Sequence, residues 1–159
     1  MFRQLSTLFN LYSPEAMDES HDDLCRHETR LATAALLVEV ARSDEDFDRT
    51  ERSTLLGLLE REYGLSQVEC GALLDLAEGR VEASISLDEF TRLIDRNFSP
   101  DRKRHVMELL WRIACADGRI DKYEEHLIRR IADLIHVPHR VFIQAKLRVQ
   151  EQLGGGVLG

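Results

Sequence analysis

Apolar residues recur along this chain at the three- and four-residue spacing that is typical of amphipathic helices. The clearest sets are Leu31, Ala34, Ala35, Val38 and Ala41, and then Val106, Leu109, Leu110, Ile113 and Ala114. With three prolines and nine glycines, the chain has little of the turn chemistry that an all-β fold needs. The pattern therefore predicts an all-α fold, a compact bundle of about seven helices over residues 28–43, 48–62, 66–82, 86–97, 100–116, 121–136 and 138–152.

Helix start signals agree with three of these boundaries. Ser66 with Glu69, and Ser86 with Glu89, have the spacing of a capping box, in which each residue binds the backbone N–H of the other. The run Ser99-Pro100-Asp101 places a cap before a proline and an acid in the first helical turn. Each signal predicts the start of a helix.

The length of the chain favours a single folded domain. A chain of 159 residues is long enough to bury a substantial core. We divide it into a lead-in over 1–27, a helical domain over 28–152 and a flexible glycine-rich tail over 153–159. The lead-in is predicted to form one short amphipathic helix that docks onto the bundle, on the apolar residues Phe2, Leu5, Leu8 and Phe9.

Charge and cysteine usage narrow the class of protein. The formal net charge is −8, from 21 basic and 29 acidic residues, which disfavours nucleic acid as a partner. No run approaches the ~20 apolar residues that insertion into a membrane requires. The three cysteines, Cys25, Cys70 and Cys115, lie far apart and predict no disulfide scaffold. We expect a cytoplasmic protein.

An internal repeat is present in the helical pattern. Residues 36–56 align without a gap on residues 109–129. The alignment places Asp44 on Asp117, Asp48 on Asp121 and Glu51 on Glu124. We therefore expect two helical hairpins related by an approximate twofold axis, with their turns close together if the axis passes between them.

Each copy reads D-x-x-x-D-x-x-E across a helix–turn–helix joint, and helix capping accounts for part of it. Asp48 and Asp121 are predicted N-caps, and the glutamates three residues later would complete capping boxes. Capping does not account for Asp44 and Asp117, which follow the preceding helix, where the macrodipole disfavours an anion. These two residues predict a nearby positive charge.

A divalent cation would supply that charge. Carboxylates about 5 Å apart repel by about 3 kcal/mol at an effective dielectric of about 20, and a shared cation removes this repulsion. Ligands that are all oxygen favour Ca²⁺ or Mg²⁺. The second copy matches the back half of an EF-hand loop, but Ile113 and Cys115 stand where its first acidic ligands would be. Gly118 permits a tight turn that Glu45 in the first copy would resist, so the second copy is the better predicted site.

Three runs of the sequence resemble the TerB-like superfamily, named for a tellurite-resistance protein, and look closest to a stand-alone bacterial branch of it. The runs are LATAALLVEVARSDEDFDRTE, LDEFTRLI and LLWRIACADGRIDKYEEHLIRRIADLIHVPH. The resemblance implies an all-helical bundle with pseudo-twofold symmetry and an acidic site for a divalent metal. Related domains attached to membrane-associated stress proteins imply a sensor or scaffold. The implied ligands in this chain are Asp117, Asp121 and Glu124, with Asp44, Asp48 and Glu51 opposite.

Three functions stay open at this point. The first is a non-enzymatic module that binds a divalent cation and engages a protein partner, such as a membrane-associated protein. The second is a structural interaction domain without a metal. The third is a hydrolase that uses a metal held by the carboxylates. No GxSxG, P-loop, GxGxxG or HExxH motif is present, which favours the non-enzymatic functions.

Overall fold

The computed structural model describes residues 20–42, 49–83, 87–116 and 120–154, with side chains from residue 26 onward, except residues 49–51 and 83. These residues form helices α1 (Ser20–Arg42), α2 (Arg49–Tyr63), α3 (Gln67–Ala83), α4 (Asp88–Asn97), α5 (Pro100–Ala114), α6 (Lys122–Leu134) and α7 (His139–Gly154). None of the described residues is in a β-strand. The predicted all-α fold is confirmed. The predicted N-terminal helix and the glycine-rich residues after 154 lie outside the described residues.

Helix α1 begins earlier than the sequence pattern predicted. Its first residue is Ser20, whereas the apolar spacing predicted a start at 28. Residues 20–27 are almost all polar, so they add little to an apolar pattern. Hydrophobic spacing alone therefore does not mark the start of this helix.

Helix α1 lies at the centre of the bundle and packs against α2, α3, α4, α5 and α6. From Leu31 to Ala41, every residue of α1 except Glu39 is buried. The sequence pattern predicted one apolar face, but burial on all sides is what a central helix requires. The alanines at 32, 34, 35 and 41 present little side-chain volume, which allows the neighbouring helices to approach closely.

The predicted caps at two helix starts are confirmed. The Ser66 hydroxyl accepts a hydrogen bond from the Glu69 N–H at 3.2 Å, and the Glu69 carboxylate accepts one from the Ser66 N–H at 3.1 Å. At the start of α5, Ser99 accepts from the Arg102 N–H at 3.3 Å, and Pro100 occupies the first helical position. Ser86 lies outside the described residues, so the second predicted capping box stays a prediction.

Side-chain contacts fix the directions of α2 and α5. Glu62 near the end of α2 contacts His105 near the start of α5, with 2.5 Å between Oε2 and Nε2. Thr54 near the start of α2 and Cys115 just after α5 line the same cleft. The two helices are therefore antiparallel, and α2 begins at the end of the bundle where α5 ends.

Helices α1 and α3 finish at this same end of the bundle. Arg52 of α2 donates to Asp75 of α3 at 3.0 Å, and the neighbouring turn of α3 contributes Glu78 to the same guanidinium. Arg42, the last residue of α1, lies 3.7 Å from the Glu82 carboxylate near the end of α3. Both helices thus run antiparallel to α2.

The helix contacts on the two sides of the repeat correspond. Helix α1 packs extensively against α3, and its counterpart α5 packs extensively against α7. Helix α2 contacts α5 across the repeat, and α6 contacts α1 in the same way. The pseudo-twofold relation, and with it superposition of the hairpins over 28–62 and 100–136, stays a prediction.

No helix in the described ranges combines the length and the apolar character needed to cross a membrane.

Candidate functional site

Asp121 is the N-cap of α6, as the sequence predicted. Its backbone is extended, with φ −70° and ψ 142°, and its side chain accepts a hydrogen bond from the Tyr123 N–H at 2.9 Å. This bond satisfies one of the backbone donors that the first turn of a helix leaves without an intrahelical partner. Asp121 therefore stabilises the start of α6 without a bound cation.

Glu124 is buried, which its position in the first turn of a helix did not predict. Its exposed fraction is 2%, whereas the neighbouring Glu125 is partly exposed and accepts a hydrogen bond from Lys146 of α7 at 3.0 Å. Carboxylates are rarely buried to this extent unless they are compensated by a partner. Of the two predicted ligands whose side chains are described, Glu124 is thus the more unusual.

The side chains of the other four predicted ligands lie outside the described residues. Asp44, Asp48 and Asp117 lie outside the described residues, and Glu51 lies in α2 with its side chain outside them. Within the described part of the chain, no group of three or more His, Cys, Asp or Glu residues is arranged to hold a metal ion. The described residues therefore give the setting of the predicted site but not its full set of ligands.

The described helix ends that flank the two acidic turns in the sequence meet at one end of the bundle. Helices α1 and α5 both end there, and α2 begins there. Ile120, two residues before α6, lines the same cleft as Thr54 of α2, so α6 begins there as well. We call this region the acidic-turn end. Residues that are far apart in the sequence are thus brought to one part of the surface.

A cleft at the acidic-turn end was not predicted from the sequence. It has a volume of about 760 Å³ and lies between α2, the end of α5 and the last turns of α7. Its lining includes the apolar residues Leu58, Ile120 and Leu153, the half-buried Cys115, and the arginines Arg61 and Arg112. No sequence motif marks the cleft, because its walls come from three separate helices.

A titratable cluster lies toward the opposite end of the α2–α5 pair. His105 contacts Glu62 through Nε2 and Glu108 through Nδ1, the latter at 3.5 Å, and Arg148 of α7 lies 3.4 Å from Glu108. Glu108 is 9% exposed. The cluster joins α2, α5 and α7, so its main effect is to hold these helices together.

The family model for tellurite resistance protein TerB matches residues 30–147. The chain belongs to the TerB family. The matched range extends from within α1 to within α7, so the TerB domain includes both acidic turns and all six predicted ligands. Comparisons of this TerB-family chain with curated proteins and with solved structures found no match.

Proposed function

We propose that this TerB-family protein is a non-enzymatic module that binds Ca²⁺ or Mg²⁺ and acts as a stress-related sensor or protein-interaction scaffold. The proposed ligands are Asp117, Asp121 and Glu124, with Asp44, Asp48 and Glu51 from the other copy of the repeat. The observation that carries the proposal is the convergence of α1, α2, α5 and α6 at the acidic-turn end. The two copies of the acidic motif connect these helix ends in the sequence.

The electrostatics of the described residues support a cation at this position. Asp121 uses Oδ1 for its cap, and a carboxylate has a second oxygen that is able to bind a cation at the same time. Glu124 keeps a carboxylate at 2% exposure three residues later. A hard divalent ion favours such oxygen ligands and offsets the repulsion between them.

Titration calorimetry with CaCl₂ and with MgCl₂ tests this proposal. We expect the wild-type protein to bind at least one of the two ions and Asp117→Asn to bind it more weakly, because the substitution removes a charged ligand. The matched control is Asp133→Asn, which removes one negative charge from an exposed position on α6. If the two variants bind alike, the charge of Asp117 is not part of a site.

A structural interaction domain without a metal is the second candidate. The cap formed by Asp121 favours it, because that bond accounts for one of the acidic residues with no cation at all. If this second candidate is correct, calorimetry detects no binding of divalent cations at millimolar concentrations. The free energy of unfolding of Asp117→Asn is then equal to or slightly above that of the wild type, because the substitution removes an anion from the end of a helix.

The proposed protein partner would contact the acidic-turn end. Tyr123, the second residue of α6, is 73% exposed there, and tyrosine is enriched in protein interfaces. We expect an interacting protein to be retained by the wild-type protein with CaCl₂ and to be lost both with EDTA and with Tyr123→Ser. Quantitative mass spectrometry of affinity-purified samples measures this. Retention that is unchanged by either treatment would place the partner elsewhere.

A further inference from the structure

We propose that the cleft between α2, α5 and α7 binds a small amphipathic anion, a molecule with an apolar tail and a carboxylate or phosphate head. This inference concerns the cleft alone and does not depend on the acidic ligands. Its volume of about 760 Å³ lies within the range of about 300–1,000 Å³ that is usual for small-molecule sites.

The walls of the cleft fit the apolar tail. Leu58 and Ile120 line it, and Leu153 contributes a side chain that is 53% exposed. Exposed leucine surface in a concave site favours an apolar ligand, because the ligand removes that surface from water. The tail of the proposed ligand would therefore lie against Leu58, Ile120 and Leu153.

The arginines of the cleft fit the anionic head. In the described part of the chain, neither Arg61 nor Arg112 forms an ion pair, and Arg112 instead donates to the neutral side-chain oxygen of Gln152. By contrast, Arg52 on the same helix as Arg61 is paired with two carboxylates. A guanidinium binds carboxylate and phosphate groups through two parallel hydrogen bonds, so each of these two side chains offers such a head group a binding partner.

This combination is selective for the sign of the ligand's charge. The protein carries a net charge of −8, so a cationic ligand would be attracted to most of its surface. Among the described residues that line the cleft, the ionised side chains are Arg61 and Arg112, and both are cationic. An anion with an apolar tail is the ligand that uses both the walls and the arginines.

Calorimetry with decanoate tests the proposal, at concentrations below those at which it forms micelles and in buffers with EDTA and with CaCl₂. We expect decanoate to bind in both buffers, whereas decyltrimethylammonium, which has the same tail and a cationic head, does not bind in the cleft. Arg61→Gln and Arg112→Gln should each weaken binding at least about fivefold, as loss of a charged hydrogen bond does. Leu153→Ser should weaken it too. Arg130→Gln, at an exposed position on α6, is the matched control and should bind as the wild type does.

Alkylation of Cys115 by iodoacetamide locates the bound molecule. Peptide mass spectrometry gives the rate at this thiol, and saturating decanoate should slow it because Cys115 lines the cleft. The proposal is overturned if the rate does not change, if both ligands protect Cys115 equally, or if Arg61→Gln binds decanoate as Arg130→Gln does. Arg61 is exposed, so its replacement is expected to leave the fold intact. Binding in EDTA separates this site from the proposed cation site, which can fail without affecting the cleft.

Discussion

The Oδ1 atom of Asp121 accepts a hydrogen bond from the backbone N–H of Tyr123 at 2.9 Å. The Asp121 carboxylate therefore caps the helix through one oxygen and also carries a negative charge, and the two effects can be tested separately. Asparagine caps a helix about as well as aspartate but carries no charge, whereas alanine does neither. Substitution of this one residue can distinguish a cap from a cation ligand.

Asp121→Ala is expected to lower the free energy of unfolding by about 1 kcal/mol in EDTA, because the cap of α6 is lost. Asp121→Asn should keep most of that stability and still bind Ca²⁺ or Mg²⁺ more weakly. Urea denaturation and calorimetry measure the two effects. Ser99→Ala, which removes the cap of α5, should cost similar stability without changing cation binding. Normal cation affinity in both Asp121 variants would exclude this residue as a ligand.

The stability of the protein should depend on Asp95 in acid. The Lys103 ammonium at 2.7 Å and the His136 imidazole at 3.0 Å hold the pKa of the Asp95 carboxyl below its usual 3.8. A lowered pKa in the folded state stabilises the protein above the unfolded pKa, and this contribution is lost as pH falls through the folded value. The difference in unfolding free energy between the wild type and Asp95→Asn should be constant above about pH 5 and shrink below pH 3.8.

Urea denaturation between pH 2 and pH 6 checks the contribution of Asp95, within the interval where its carboxyl titrates. Asp133→Asn is the control, because it removes an aspartate from an exposed position on α6. A difference between the wild type and Asp95→Asn that grows as pH falls would contradict the direction of the pKa shift.

The contact between Trp111 and Phe142 should be central to the core. The ring centroids are 5.2 Å apart, both side chains are buried, and Trp111 Nε1 donates to the Phe142 carbonyl at 3.3 Å. Phe142→Ala should lower the free energy of unfolding by about 3–5 kcal/mol because it leaves a cavity, and Phe142→Leu should cost less. Trp111 is the single tryptophan, so its fluorescence reports unfolding directly. Equal stability of both variants would show that the site collapses without a cavity.

The Cys70 thiol should be unreactive in the folded protein. It is 1% exposed, and burial raises its pKa, with a further increase from the carboxylates of Glu60 and Glu69. Because the thiolate is the reactive form, iodoacetamide at pH 8 should alkylate Cys70 slowly in buffer and rapidly in urea. Peptide mass spectrometry follows each cysteine separately, and Cys115 provides the partly exposed comparison. Equal rates for Cys70 in buffer and in urea would contradict its burial.

Local interactions explain why much of the fold was predictable from the sequence. The apolar spacing in helices such as α1 and α5 reflects contacts three and four residues apart, and the caps at Ser66, Ser99 and Asp121 involve neighbours within three residues. These signals survive in a linear sequence because both partners are close along the chain. The burial of Trp111 was predictable for the same reason, since its helix carries an apolar face. The all-α fold and the TerB family assignment were therefore available before the structure.

Tertiary structure decided what depends on residues that are distant in the sequence. Nothing local predicts that Asp95 lies beside His136, 41 residues later in the chain. The walls of the cleft come from α2, the end of α5 and α7, which are distant in the sequence. The burial of α1 on all sides likewise depends on the five helices that pack around it. Such features arise from packing between helices, which leaves no periodic or short-range mark in the sequence.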